Sequence, residues 1–242
     1  MSGRVGIITQ VRMTSTRLPG KVLKEAKGQP LLKYHTDRLK QSSIPVFIAT
    51  TVNPADDPII EFAKKEGIVF YKGSEHDVLS RFYGCAKEND LDIIVRVTSD
   101  CPLIDGLLIK DAVDKYKETE NSDLYLSNAL ERTFPRGFDF EIFSFKLLSE
   151  AHEKAVLDLD KEHVTPYINR NRSGKVSFFH YRQEKDKSAF RITVDTAEDY
   201  QLVKILIEKF DADKLQHKEI TDILEKNPDL VLINAHIEQK KS

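Results

Sequence analysis

Val5-Gly6-Ile7-Ile8-Thr9-Gln10, followed by Val11-Arg12-Met13-Thr14-Ser15-Thr16-Arg17-Leu18-Pro19-Gly20-Lys21, sets the reading of this chain. The first six residues form a short apolar run, which reads as a buried strand. The segment behind it is polar, is punctuated by Pro19 and Gly20, and carries the cations Arg12, Arg17 and Lys21. Comparable apolar runs recur at 46–50, 68–71 and 93–97. Helical periodicity fills the spaces between them, at 31–39, 59–66 and from about 74 to 86. Pro30 suits the first turn of the first helix, where a missing amide proton has no intrahelical partner. This alternation predicts an α/β fold, with a mainly parallel sheet covered by helices on both faces. Ligands of such sheets bind beyond the carboxyl ends of the strands. The segments after Gln10, Thr50, Tyr71 and Val97 are therefore the candidate site loops.

The second half is less regular. It predicts helices at 104–116, 145–155 and 163–169, and strands at 123–126, 140–143, 176–181 and 190–194. Helices at 198–210, 218–225 and 231–235 follow. The 242 residues suit a single domain, 1–242. The irregular stretch 123–188 is expected to be an extension that shapes an acceptor site or a subunit contact.

Composition narrows the function classes. The 37 basic and 39 acidic side chains leave a formal charge of −2, so no strong overall field recruits nucleic acid or an anionic membrane. Hydrophobic content of 40% with 31% charged residues fits a folded soluble chain and argues against disorder. Cys85 and Cys101 lack metal-site spacing and make no disulfide framework, which points to a reducing compartment. No stretch approaches the ~20 apolar residues of a membrane span. The start, Met1-Ser2-Gly3-Arg4, lacks the apolar segment of a secretory signal. A cytoplasmic protein without membrane insertion is expected.

Several side chains carry the chemistry. The Gln10–Lys21 loop offers amides, the hydroxyls of Ser15 and Thr16 and three cations, as a triphosphate requires, although an ordinary solvated loop has the same composition. It lacks the GxxxxGK[ST] spacing of a P-loop. Asp100 and Asp195 each follow a predicted strand; two carboxylates converging at one sheet edge suit Mg²⁺, which prefers hard oxygens and water. Either is equally readable as a cap or turn residue. Ser74, Asp77 and Arg81 are positioned to meet a base or phosphate, or simply to cap a helix. Arg136, in Pro135-Arg136-Gly137-Phe138-Asp139-Phe140-Glu141, suits an anionic sugar or an exposed turn. His163 reads as a helix cap or an acceptor ligand, and the seven histidines form no HExxH motif.

In order, these motifs resemble the cytidylyltransferase family of spore-coat polysaccharide biosynthesis proteins, related to the synthetases of CMP-activated acidic sugars such as CMP-3-deoxy-manno-octulosonate. The family pattern QARMxSTRLPGK is matched by Gln10, Arg12, Met13 and Ser15 through Lys21. GSxxDVLxR is matched by Gly73, Ser74, Asp77, Val78, Leu79 and Arg81. Arg96 through Asp105, Ser127-Asn128, Glu162 through Ile168 and Arg191 through Tyr200 continue the match. Val11 and Thr14 depart from it, standing where the family has Ala and Gly.

The resemblance implies a three-layer, nucleotide-diphospho-sugar transferase-like fold and a homodimer. CTP would be a substrate, with Arg12 and Lys21 on the triphosphate, helped by Gln10, Ser15, Thr16 and Arg17. Ser74, Asp77 and Arg81 would lie near the nucleotide, and Asp100 and Asp195 would ligate Mg²⁺. Asn128, Arg136, Asp139 and His163 would face the acceptor, a small sugar or sugar acid. The expected reaction is transfer of CMP from CTP to that sugar with release of pyrophosphate. The alternatives are a metal-dependent glycosyltransferase, which would release a nucleoside mono- or diphosphate, and a non-catalytic nucleotide-binding protein, which would bind CTP without turnover.

Overall fold

The computed structural model describes residues 3–238. Seven strands form its main sheet: β1 (Val5–Gln10), β2 (Val46–Thr51), β3 (Val69–Gly73), β4 (Ile93–Thr98), β5 (Leu124–Ser127), β6 (Glu141–Ser144) and β7 (Ser177–His180). Their order is β3-β2-β1-β4-β6-β5-β7. The first four run parallel; β6 is antiparallel to both β4 and β5, and β7 lies parallel to β5 at the edge. A two-residue-per-strand hairpin, Glu25–Ala26 with Gln29–Pro30, stands apart.

Side-chain alternation along the strands separates two cores. Ile7, Val95, Leu126 and Ile142 point to one face, Ile8, Ile94, Tyr125 and Phe143 to the other. The first face is covered by α1 (Leu31–Lys40), α2 (Asp57–Lys65), α4 (Gly106–Glu118), α8 (Ala197–Phe210) and α9 (His217–Lys226). The second carries α3 (Val78–Glu88), α5 (Phe145–Lys154) and α7 (Pro166–Asn169), with the short α6 (Asp158–His163) beside α3 and α7. The result is three layers, helix on sheet on helix.

Two expectations change. Residues 190–194 do not form a ladder strand; one bridge joins Arg191 to Arg136. Their backbone is divided between two partners, since Arg136 and Phe190–Ile192 exchange bonds while the Val194 amide donates to the Asp100 carbonyl at 2.7 Å. The expected helix at 163–169 is split into α6 and α7 by Val164, which sits at φ 70° while the Thr165 amide donates to the His163 carbonyl at 2.8 Å. At the tail, α10 spans Pro228–Leu232 and a turn follows.

Topology positions the site. From β1 the chain moves to β2 and β3, then returns past β1 to β4. The reversal opens a crevice at the carboxyl ends of β1 and β4. Gln10 and Thr98, the last residues of these strands, are register partners at its floor.

Candidate active site

A cleft of about 1170 Å³ opens there. Its wall includes Gln10, Arg12, Ser15, Thr16, Arg17, Lys21, Asp77, Arg81, Asp100, Asp139, His163 and Asp195, so most of the residues singled out in the sequence converge.

The two aspartates reach it by different routes. Asp100 follows the end of β4. Asp195 arrives at the end of the extended 190–194 segment, which is fastened to the Asp100 carbonyl by the Val194 amide and by Thr193 Oγ1 at 3.1 Å. Each carboxylate has one oxygen tied back and one presented. Asp100 Oδ1 accepts from Thr98 Oγ1 at 2.5 Å, and Asp195 Oδ2 from Arg191 Nη2 at 2.8 Å, with Arg17 Nη2 at 3.0 Å. The presented oxygens, Asp100 Oδ2 and Asp195 Oδ1, lie 3.2 and 2.9 Å from one ammonium, Lys21 Nζ. Burial opposes both charges. The Lys21 ammonium nevertheless holds the Asp100 carboxyl at about 2, and the two carboxylates raise the lysine above its ordinary value.

Two monodentate carboxylate oxygens aimed at one point form a donor set suited to Mg²⁺, which takes one or two carboxylates and fills its remaining positions with water and phosphate. Lys21 Nζ stands at that point in this structure. Among the described residues no group of three or more His, Cys, Asp and Glu gathers around a common point, so a divalent ion here would complete its sphere from outside the protein.

The loop before Lys21 is closed by internal bonds. The Met13 amide donates to Asp56 Oδ1 at 2.7 Å, and the Met13 carbonyl accepts from Ser15 and Gly20, both at 3.0 Å. Gly20 lies at φ +65°, where a side chain is disfavoured. The amides of Val11, Met13, Ser15, Gly20 and Lys21 are all engaged within the protein. Anion binding in the loop therefore relies more on its side-chain cations than the sequence suggested. Thr14, standing where a glycine was expected, needs no left-handed backbone, and its hydroxyl donates to Glu75 Oε1 at 2.9 Å. Asn53 Nδ2 holds the other Glu75 oxygen at 2.9 Å.

Arg81 is the most deeply buried cation of the wall. Nη1 donates to the Ser74 carbonyl at 3.1 Å, while Nε has no partner among the described residues. Burial, with Arg12 nearby, pulls its pKa down to about 10. Such a group gains from any acceptor a ligand brings. Asp77 lines the cleft and also caps α3, accepting from the Ser80 amide at 2.8 Å.

Three candidates lie off the wall. Ser74 accepts the Asp77 amide at 3.0 Å in the cap of α3. Asn128 is fully buried, its Nδ2 on the Phe138 carbonyl at 2.8 Å and its Oδ1 on the Phe140 amide at 2.9 Å, so it clamps a loop and offers nothing to an acceptor. Arg136 is bridged through its backbone to Arg191; burial and the neighbouring Arg132 lower its pKa. Asp139 does reach the cleft, paired with Arg132, and His163 reaches it from the end of α6.

Sequence reasoning gave no role to several residues that build the wall. Arg96, inside β4, is ion-paired with Glu141, which also accepts from Tyr125 and from Thr165 Oγ1 at 2.8 Å. A charged residue within an apolar strand was the available signal. Glu75, Asp158, Lys161 and Glu162 also line the cleft. Asp56 gathers Met13, Thr50 and Thr51.

The cytidylyltransferase family model matches residues 6–241. The chain belongs to the cytidylyltransferase family. As such it is a nucleotidyltransferase. It is 32% identical to the spore coat polysaccharide biosynthesis protein SpsF of Bacillus subtilis over 231 residues, covering 92% of this chain and 94% of SpsF. A solved cytidylyltransferase from Leptospira borgpetersenii superposes with a TM-score of 0.90 at 36% identity, over 98% of this chain and 99% of that one. A CMP:2-keto-3-deoxy-manno-octonic acid synthetase solved with CTP shares the fold, with a TM-score of 0.61 at 15% identity over 84% of this chain and 98% of that one.

Proposed function

We propose that this cytidylyltransferase transfers CMP from CTP to a sugar or sugar acid for a surface polysaccharide, with Mg²⁺ and with release of pyrophosphate. The observation that carries the reading is the convergence of Asp100 and Asp195 on Lys21 Nζ in a cleft also lined by Arg12, Arg17 and Arg81. This concentration of cations suits a full triphosphate better than the diphosphate of an activated sugar. Likeness to SpsF supports the polysaccharide setting, and the fold shared with a synthetase solved with CTP supports the nucleotide.

When bound, Mg²⁺ would neutralise phosphate oxygens and polarise the α-phosphate, with Asp100 and Asp195 as its protein ligands. Arg12, Arg17 and Lys21 bind and neutralise the triphosphate, and Arg81 holds the nucleotide from the α3 side. The acceptor hydroxyl attacks the α-phosphorus, its proton passing to solvent as the new P–O bond forms and the bond to the α–β bridging oxygen breaks, so that pyrophosphate leaves. Positioning and preorganised charge supply the rate enhancement. Asp139 and His163 face the acceptor half of the cleft. Two buried, unpaired cysteines and the lack of any membrane-spanning helix among the described residues agree with a reducing cytoplasmic setting.

The test is pyrophosphate release from CTP and Mg²⁺ across a panel of neutral, amino and acidic sugars. Turnover with at least one sugar, abolished in Asp100→Asn, is expected. Release of a nucleoside diphosphate from an activated sugar would establish the glycosyltransferase alternative; CTP binding with no turnover across the panel would establish the non-catalytic one.

A further inference from the structure

The carboxylate of Asp195 is held from behind by a buried network that ends in the C-terminal tail. Arg191 Nη2 donates to Asp195 Oδ2 at 2.8 Å and to Asp199 Oδ2 at 2.9 Å, while its Nε donates to Asp199 Oδ1 at 2.9 Å. Asp199 Oδ2 also accepts the amides of Asp195 and Thr196, at 3.0 and 3.1 Å. Asn234 closes the network. Its Nδ2 donates to Asp199 Oδ1 at 2.8 Å and to the Arg191 carbonyl at 3.1 Å. Arg191, Asp199 and Asn234 are 8%, 0% and 3% exposed. Leu230, Val231 and Ile233 pack against the core and seat the tail that delivers Asn234.

We propose that Asn234 is a positioning residue for the cleft, acting through Asp199 and Arg191 to fix which oxygen of Asp195 faces the point shared with Asp100. The proposal rests on reading that pair as the cation site. Asn234 supplies two N–H groups from one nitrogen, and both are used. Without them Asp199 Oδ1 is left with the Arg191 Nε bond and the Arg191 carbonyl loses a donor, which weakens a buried network whose bonds support one another. Asp199 braces the Arg191 guanidinium at both Nε and Nη2. If Arg191 turns, Asp195 Oδ2 keeps only the more exposed Arg17 as partner, and the carboxylate is held less firmly toward Asp100. Partners of this kind fix ligand orientation at metal sites without touching the ion.

The test uses the full chain with Asn234→Asp, which keeps the shape but sets a carboxylate against Asp199, and with the milder Asn234→Ser. Hydrogen exchange at the Asp195 and Thr196 amides reads the network without any ligand, and exchange in β1 reads global stability. Binding of Mn²⁺ in the presence of CTP reads the cation site. Exchange at Asp195 and Thr196 is expected to rise beyond any rise in β1. Mn²⁺ binding is expected to weaken roughly 10–100-fold, with CTP affinity in the absence of metal unchanged. Exchange at those amides that only follows β1 overturns the proposal. So does wild-type Mn²⁺ affinity in a variant whose exchange there has risen. If the wild-type chain itself takes up no Mn²⁺ beside CTP, the cation-site reading falls, and the exchange result still decides whether Asn234 sets the geometry of Asp195.

Discussion

Lys21 holds the two aspartates together, and it must let go of them for the proposed reaction to proceed. Without a cation between them, two carboxylates presented at one point in a partly buried cleft repel each other. The ammonium removes that repulsion, and a triphosphate offers it a second set of oxygens. Replacing Lys21 with Met is therefore expected to weaken CTP binding about 10–100-fold, the worth of a charge-assisted bond. The same variant should bind Mn²⁺ more tightly than wild type when CTP is absent, because the carboxylates no longer have an internal partner. Calorimetry with CTP and spin-resonance titration of Mn²⁺ measure the two effects. Unchanged Mn²⁺ affinity would show that Lys21 does not compete for the site. The aspartates were legible in the sequence because each ends a strand-like run and matches the family pattern. That Lys21 stands between them was not, because it depends on the path of the loop, which is closed by Asp56 through one backbone amide.

At the scale of elements, α1 is fastened to the sheet by His35. Its Nδ1–H donates to the Cys101 carbonyl at 2.9 Å, so Nε2 accepts from the Thr9 hydroxyl, also at 2.9 Å. The ring is fully buried, and burial lowers its pKa to about 4. The unfolded chain protonates His35 below about pH 6.5, whereas the folded protein resists until near 4. More protons are bound in the unfolded state across that window, so stability falls as pH falls through it. The contribution is on the order of 3 kcal/mol, and His35→Gln should flatten this part of the stability profile in denaturant titrations at several pH values. Gly137 makes a second joint. It lies at φ +115°, and a Cβ there would meet Ile192 Cγ1 at 2.7 Å and the Thr193 nitrogen at 3.0 Å. Gly137→Ala should cost at least about 2 kcal/mol and lower Tm by roughly 4–8 °C. A melting temperature equal to wild type would show that the turn yields. The helices and the four parallel strands were legible from periodicity because each buries one stripe or face. Residues 190–194 were not, since an extended apolar run looks the same whether its backbone bonds join one neighbouring strand or two separate loops.

Across the whole molecule, residues 123–188 supply β5, β6 and β7 to the main sheet, so this stretch is continuous with the core as well as bordering the cleft. β7 is an edge strand, and its Phe178 and Phe179 are 38% and 39% exposed. Unpaired edges with aromatic side chains are association surfaces unless protected. A homodimer through this edge is the expected assembly; sedimentation should give twice the chain mass, reduced to one in Phe178→Glu with Phe179→Glu. A wild-type monomer at all concentrations would exclude it. The most direct measurement of the whole scheme is the affinity of the wild-type chain for Mn²⁺ with and without CTP. Tightening of about 5–150-fold by CTP, lost in Asp195→Asn, is expected if the nucleotide draws Lys21 away and the aspartates close on the ion. Equal affinity in the two conditions, or an Asp195→Asn protein that binds Mn²⁺ as wild type does, would contradict it.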